Sequence, residues 1–279
     1  MSRIAIDGAH VVVTGAGSGI GRATALRFAA RGATVACVDI DGDAADRTAV
    51  ACREAGPRAS AWTCDVADAA AVERLAAAIE AEAPVDVVVN NAGVGIAGPF
   101  LESTSEDWDW LMGINLDGVA AGSRAFGARM VARRRGHVVN VASGAAYVMH
   151  RDMAAYCASK AAVVALSRCL RADWAGAGVG VSAICPGVID TPIARRTRMV
   201  GPVADRQQRI ADAFRHGHSP DLVARAIVRA VERNQELVPV GIESALAYRL
   251  LPVVPGPLQQ LARRAPLARA FAGFGGGRS

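Results

Sequence analysis

His10–Phe28 reads HVVVTGAGSGIGRATALRF. A short β-branched run enters a glycine-rich turn, and the turn enters an Ala/Leu stretch of helical character. Gly15, Gly19 and Gly21 follow a G-x-x-x-G-x-G spacing. A turn of this kind between strand and helix lets backbone N–H groups approach a pyrophosphate at the helix N-terminus. The alternative G-x-G-x-x-G is not met, because position 20 is isoleucine. No lysine follows the loop, which excludes a mononucleotide P-loop. Many glycine turns are only tight connections; the flanking strand and helix favour the dinucleotide reading.

Working outward, the β-branched runs His10–Thr14, Thr34–Asp39, Ala59–Asp65, Val85–Asn90, His137–Ser143, Gly180–Cys185 and Leu237–Val240 read as strands. Several are apolar almost throughout, as parallel strands covered on both faces should be. Helices are expected over 20–31, 42–55, 69–82, 105–134, 154–176 and 220–233, the last opened by Ser219-Pro220. The alternation predicts a doubly wound parallel sheet in one α/β domain over 1–241. Pro186–Ser219 shows no clear strand and is expected to form a flap, about 188–219, over a pocket. Residues 242–279 carry Pro252, Pro255, Pro257 and Pro266 and end in GFGGGRS, so they read as a C-terminal extension with a disordered end.

Asp39 ends the second predicted strand, 18 residues after Gly21. A carboxylate there can accept from adenosine ribose hydroxyls and repel a 2′-phosphate, which predicts NAD over NADP. A surface aspartate after a strand is the plainer reading. Arg22 and Arg47 do not occupy the position after the second strand.

The 279 residues are 52% hydrophobic and 5% aromatic, with Ala, Val and Gly carrying the apolar character. The net charge is +5. The arginines are dispersed, and the short runs Arg133–Arg135 and Arg195–Arg198 lack interleaved aromatics, so a solvated surface is expected rather than a nucleic-acid interface. Six cysteines form no C-x-x-C pair, so neither a metal site nor a disulfide framework is expected, and a cytoplasmic setting fits. No basic segment followed by an apolar stretch opens the chain, and no apolar run approaches the ~18 residues of a membrane span.

Lys160 is the sole lysine among 31 basic residues, and it stands four positions after Tyr156. On a helix the two share a face. An ammonium beside a phenol stabilises the phenolate and lowers its pKa, which arginine's planar fork does less well from this position. Ser143 ends the fifth predicted strand, where a hydroxyl would face the crevice; alone, a serine there is more often a turn residue. Asn115 lies in MGINLDGVAAG, where a poor helix former suggests a local kink, or simply a surface position.

With these residues in order, the chain resembles the short-chain dehydrogenase/reductase family. The match runs from Thr14–Gly21 through Asp39, CDV (Cys64–Val66), NNAG (Asn90–Gly93), Asn115, Ser143, Tyr156-x-x-x-Lys160, Pro186-Gly187 and Thr191. The resemblance implies a Rossmann-type fold, Tyr156 as acid/base and Ser143 as the substrate-orienting hydroxyl. Lys160 would be ribose ligand and pKa modulator, and Asn115 the anchor of a water-linked proton path. Gly15, Ser18 and Ile20 would hold the pyrophosphate, Asp65 and Val66 the adenine, Asn90 the cofactor groove, and Ile189 and Thr191 the nicotinamide end. It also implies a homo-oligomer, dimer or tetramer, packed through the helices at 105–134 and 154–176.

The expected reaction is reversible hydride transfer between NAD and a small-molecule secondary alcohol or ketone. Candidate substrate contacts are Val94, Ile96 and Phe100, the GAAYVMHRDM stretch after Ser143, and Ile193, Met199 and Phe214 of the flap. Most are apolar, which favours a steroid-, terpene- or aryl-like substrate. A non-catalytic NAD(H) sensor on the same fold is the alternative, and it would have no need of the proton-carrying set. The tail, with Arg249, Arg263, Arg264 and Arg269, could lie on a membrane surface. Its prolines favour packing over the pocket or a subunit interface instead.

Overall fold

The structure, a computed structural model, describes residues 3–264. Strand β1 (His10–Thr14) leads to α1 (Gly19–Ala29), β2 (Thr34–Asp39), α2 (Gly42–Ala55), β3 (Arg58–Thr63), α3 (Ala69–Glu82) and β4 (Val87–Asn90). Next come β5 (Ile96–Ala97), α4 (Ser105–Met112), α5 (Gly118–Ala132), β6 (Gly136–Val141), α6 (Ala154–Trp174) and β7 (Val179–Pro186). The chain continues through α7 (Ile193–Arg196), β8 (Arg198–Met199), α8 (Gln207–Phe214), α9 (Pro220–Arg233), β9 (Leu237–Val240), α10 (Ile242–Leu250) and α11 (Gly256–Arg264).

Seven strands form one sheet in the order β3-β2-β1-β4-β6-β7-β9, every pairing parallel. This is the doubly wound, Rossmann-type arrangement. The valines of β1 show why. Val11, Val12 and Val13 are all fully buried. Alternation along the strand sends Val11 and Val13 to the face packed by Phe28, Ile227 and Val231, and Val12 to the face packed by Ile79, Phe126 and Met130. A strand with no polar side can persist only between two helical layers. The order reverses between β1 and β4, which opens a crevice at the carboxyl ends of the strands. Helix α9 starts where Ser219-Pro220 predicts: the Asp221 N–H donates to Ser219 Oγ at 3.2 Å.

Three features differ from the sequence expectation. The long helix over 105–134 is broken at Gly113–Asp117 by a π-helical turn that holds Asn115. The flap is not strandless: β8 pairs with β5, and Met199 and Phe214 pack on a small cluster of Ala97, Val203 and Ile210. The domain does not stop at residue 241, because the start of the extension packs back onto it. From α10, Ser244 Oγ donates to the Cys185 carbonyl at 2.8 Å, and the Tyr147 hydroxyl donates to the Ser244 carbonyl at 3.1 Å. The tail beyond residue 264, including Arg269 and the GFGGGRS end, lies outside the described residues. Among the described residues no helix is long and apolar enough to cross a membrane.

Candidate active site

The glycine turn is tighter than its spacing suggests. A Cβ on Gly21 would come within 2.0 Å of the Gly15 carbonyl oxygen, so only glycine lets α1 begin against the turn. Gly17, which the spacing argument passed over, is equally constrained: a Cβ there would lie 2.6 Å from Ala44 Cβ and 2.8 Å from Asp39 Oδ2. The Gly17 N–H donates to Asp39 Oδ2 at 2.8 Å, and Asp39 Oδ1 accepts the Asp41 N–H at 3.1 Å. Ser18 is the N-cap of α1, yet its hydroxyl makes no capping bond. The first-turn N–H groups and that hydroxyl therefore suit an anion at this helix end.

Gly15, Ser18, Ile20 and Asp39 line one wall of a cleft of about 570 Å³, and Asp65 and Val66 line it beyond the end of β3. Ile189 and Thr191 line it from the loop after β7, with Thr191 packed against Gly19. Asn90 is a correction. It does not line the cleft: its Nδ2 donates to Asn140 Oδ1 at 2.8 Å and Ser123 Oγ at 3.2 Å, inside a buried polar cluster between β4, β6 and α5. A strand residue and its successor point oppositely, so Asn91 lines the cleft instead. The Asn91 Nδ2 donates to the Thr14 carbonyl at 2.9 Å and ties the ends of β1 and β4 together.

Ser143, Tyr156 and Lys160 line the same cleft. Tyr156 and Lys160 share a face of α6, with Lys160 Nζ 5.8 Å from the Tyr156 ring centroid. Lys160 is 4% exposed and donates to the Val141 carbonyl at 3.1 Å. Burial pulls the Lys160 ammonium down to about 8. The expected depression of the Tyr156 phenol is not what this site produces. Burial pushes it above its ordinary value, and the neighbouring Ser143 hydroxyl pulls the other way. Desolvation of the phenolate is the dominant cause. Ser143 Oγ also accepts the Ala145 N–H at 3.1 Å, which fixes its rotamer as the cap of the turn that follows.

Asn115 is fully buried behind the cleft. Its Oδ1 accepts the Val94 N–H at 2.8 Å, and its Nδ2 donates to the Val94 carbonyl at 3.0 Å and Ser159 Oγ at 3.2 Å. The side chain thus holds the segment after β4 against α6, and the π turn supplies the bend that aims it there.

Val94, Ile96, Val148, Met153, Ile193, Met199 and Phe214 line the remaining, mostly apolar end of the cleft, together with His150. Phe100 does not: it is 57% exposed and meets Trp108 edge-on at 6.2 Å. Glu243, Ser244 and Ala247 of α10 also line the cleft, and no local sequence signal marks them. Among the described residues no cluster of His, Cys, Asp or Glu side chains is placed to hold a metal.

A glycine cradle at the point of sheet reversal, faced by a half-buried tyrosine and a buried lysine, is the arrangement of a nucleotide-binding α/β fold. The short chain dehydrogenase family model matches residues 9–199. The chain belongs to the short-chain dehydrogenase/reductase family. It is 46% identical over 262 residues to the probable oxidoreductase EphD of Mycobacterium tuberculosis, covering 91% of this chain and 44% of that protein. The chain therefore spans less than half the length of the EphD relatives it matches. It is 39% identical to D-threitol dehydrogenase of Mycolicibacterium smegmatis over 228 residues, 81% of this chain and 86% of the relative. A solved short chain dehydrogenase/reductase from Burkholderia phymatum, in complex with NAD, matches with TM-score 0.84 and 33% identity over 95% of this chain and 99% of that one.

Proposed function

We propose that the chain interconverts a secondary alcohol and a ketone, with NAD as hydride carrier and Tyr156 as acid/base. The observation that carries this reading is the convergence of Ser143, Tyr156 and Lys160 on one wall of the cleft, with Lys160 Nζ 5.8 Å from the Tyr156 ring centroid. The residues present fit a dinucleotide, because the close approach at Gly21 and the uncapped first turn of α1 form a cradle that a side chain would fill. Gly15, Ser18 and Ile20 would hold the pyrophosphate, Asp39 the adenosine ribose, Asp65 and Val66 the adenine, and Ile189 and Thr191 the nicotinamide end. The nicotinamide supplies the hydride acceptor or donor when bound.

In oxidation Tyr156 takes the carbinol proton, and in reduction it returns one to the carbonyl oxygen. Ser143 Oγ orients that oxygen. Lys160, within reach of both the phenol and a ribose, provides the positive charge that favours phenolate. Asn115 would serve a proton path through its main chain, since its side chain is committed to Val94 and Ser159. Asp39 supports NAD over NADP, because its carboxylate stands where a 2′-phosphate would fall.

The apolar lining from Ile96, Met153, Met199 and Phe214 supports a lipophilic substrate of steroid, terpene or aryl type. The reading includes a homo-oligomer packed through α5 and α6 and, from the free cysteines, a reducing cytoplasmic setting. The test is an alcohol and ketone panel followed at the nicotinamide absorbance, with NAD and NADP in parallel and threitol beside aryl and terpenoid alcohols. Turnover of lipophilic alcohols with NAD is expected. Turnover of polyols alone would reverse the substrate class, and no turnover of any alcohol or ketone would overturn the enzyme reading.

A further inference from the structure

Glu243 is the second residue of α10, at the start of the C-terminal extension. Its side chain is 13% exposed. Oε1 accepts the Val188 N–H at 2.9 Å, and Oε2 meets His218 Nε2 at 2.9 Å. The carboxylate lies so close over the loop after β7 that a Cβ on Gly187 would come within 2.0 Å of Oε1. Gly241, at φ +94°, leaves room from the other side: a Cβ there would lie 2.7 Å from the same oxygen.

Val188 and His218 are the two limbs of the flap where it leaves and rejoins the domain. The His218 N–H donates to the Val188 carbonyl at 2.9 Å, and the Asp190 N–H donates to the His218 carbonyl at 2.9 Å. Ile189 pairs with His218 in the bridge so formed. One carboxylate thus reaches both limbs at the base of the flap, beside the segment that carries Ile189 and Thr191. The His218 imidazole is 38% exposed, so its pairing is screened by water, and the decisive contact is the charge-assisted bond from the Val188 N–H.

We propose that Glu243 is a positioning residue that clamps the loop Gly187–Thr191 at a fixed height over the nicotinamide end of the cleft. This rests on the reading that Ile189 and Thr191 meet that end of the dinucleotide. Glu243 acts through Val188 and exchanges no proton with substrate.

The test uses the full chain with Glu243→Ala, Glu243→Gln and His218→Ala. Amide hydrogen exchange is followed in the nucleotide-free protein, and NADH affinity is measured by fluorescence titration. Glu243→Ala is expected to speed exchange in peptides covering 186–191 and to weaken NADH binding, each at least about tenfold. Glu243→Gln keeps an acceptor for the Val188 N–H, and His218→Ala keeps Glu243 itself; both are expected within about threefold of the parent. Unchanged exchange or unchanged NADH affinity in Glu243→Ala overturns the proposal. So does a Glu243→Gln protein as impaired as Glu243→Ala, since charge or bulk would then matter rather than the hydrogen bond. If Glu243→Ala does not fold, Gly187→Ala, whose methyl displaces the carboxylate, must give the faster loop exchange, and a protected loop counts against the clamp. A parent protein that binds neither NADH nor NADPH refutes the dinucleotide reading instead. The exchange comparison, made without nucleotide, still decides whether Glu243 holds the loop.

Discussion

Gly17 and Asp39 form one unit: the Gly17 N–H donates to Asp39 Oδ2 at 2.8 Å, joining the turn after β1 to the end of β2. The acid that would select the cofactor is therefore held by the same turn that would bind its phosphates. Replacing Asp39 removes a ribose acceptor and also loosens the turn. Asp39→Ala is expected to lower kcat/KM for NAD at least about tenfold and to leave NADP use equal or improved. Steady-state kinetics with both nucleotides check this. An unchanged NAD/NADP ratio would remove Asp39 from cofactor choice.

Tyr156→Phe keeps the ring in its place on the cleft wall and removes only the hydroxyl. A fall in kcat of at least ~10²-fold is expected, in the range of a positioned general acid or base. NADH binding, measured in the same preparation, should be little affected. Turnover near that of the parent would show that the proton travels by another group.

Lys160 gives a stability prediction with a definite sign. Burial lowers its folded-state value from 10.5 to about 8. Between these values the unfolded chain binds more protons at this site, so the Lys160 contribution to stability rises with pH. It is complete above the unfolded value and lost as pH falls through about 8. Lys160→Met should flatten this rise, gaining roughly 3 kcal/mol on the parent at pH 7 relative to pH 10.5. Urea denaturation of both proteins at the two pH values checks it. A parallel pH dependence in parent and variant would contradict the burial argument.

Asn115→Ala leaves the Val94 N–H and carbonyl without their side-chain partner in a half-buried setting. A loss of about 2–4 kcal/mol in unfolding free energy is expected, from two orphaned groups. Denaturant titration measures it. A loss below about 0.5 kcal/mol would mean that water replaces the amide without cost.

Much of this molecule was legible in local pattern. The seven sheet strands, the helix that starts at Ser219-Pro220, the glycine turn and the i, i+4 pair Tyr156–Lys160 depend on spacing within a few residues. The apolar β1 run alone demanded a helical layer on each face. Asn115 was legible only as an oddity in a helix. From its π turn it binds Val94, 21 residues upstream in the chain.

What tertiary structure decided concerns direction and environment. Asn90 turns into a buried cluster while Asn91 lines the cleft, a choice set by which face of β4 meets α5. Phe100 stands outside the pocket because it meets Trp108 instead. The phenol of Tyr156 rises rather than falls, because packing strips water from it. Glu243 reaches Val188 across 55 residues of chain, through a carboxylate seated over two glycines. Sequence spacing governs neighbours along one element; desolvation and contacts between distant segments arise only when the layers close on one another.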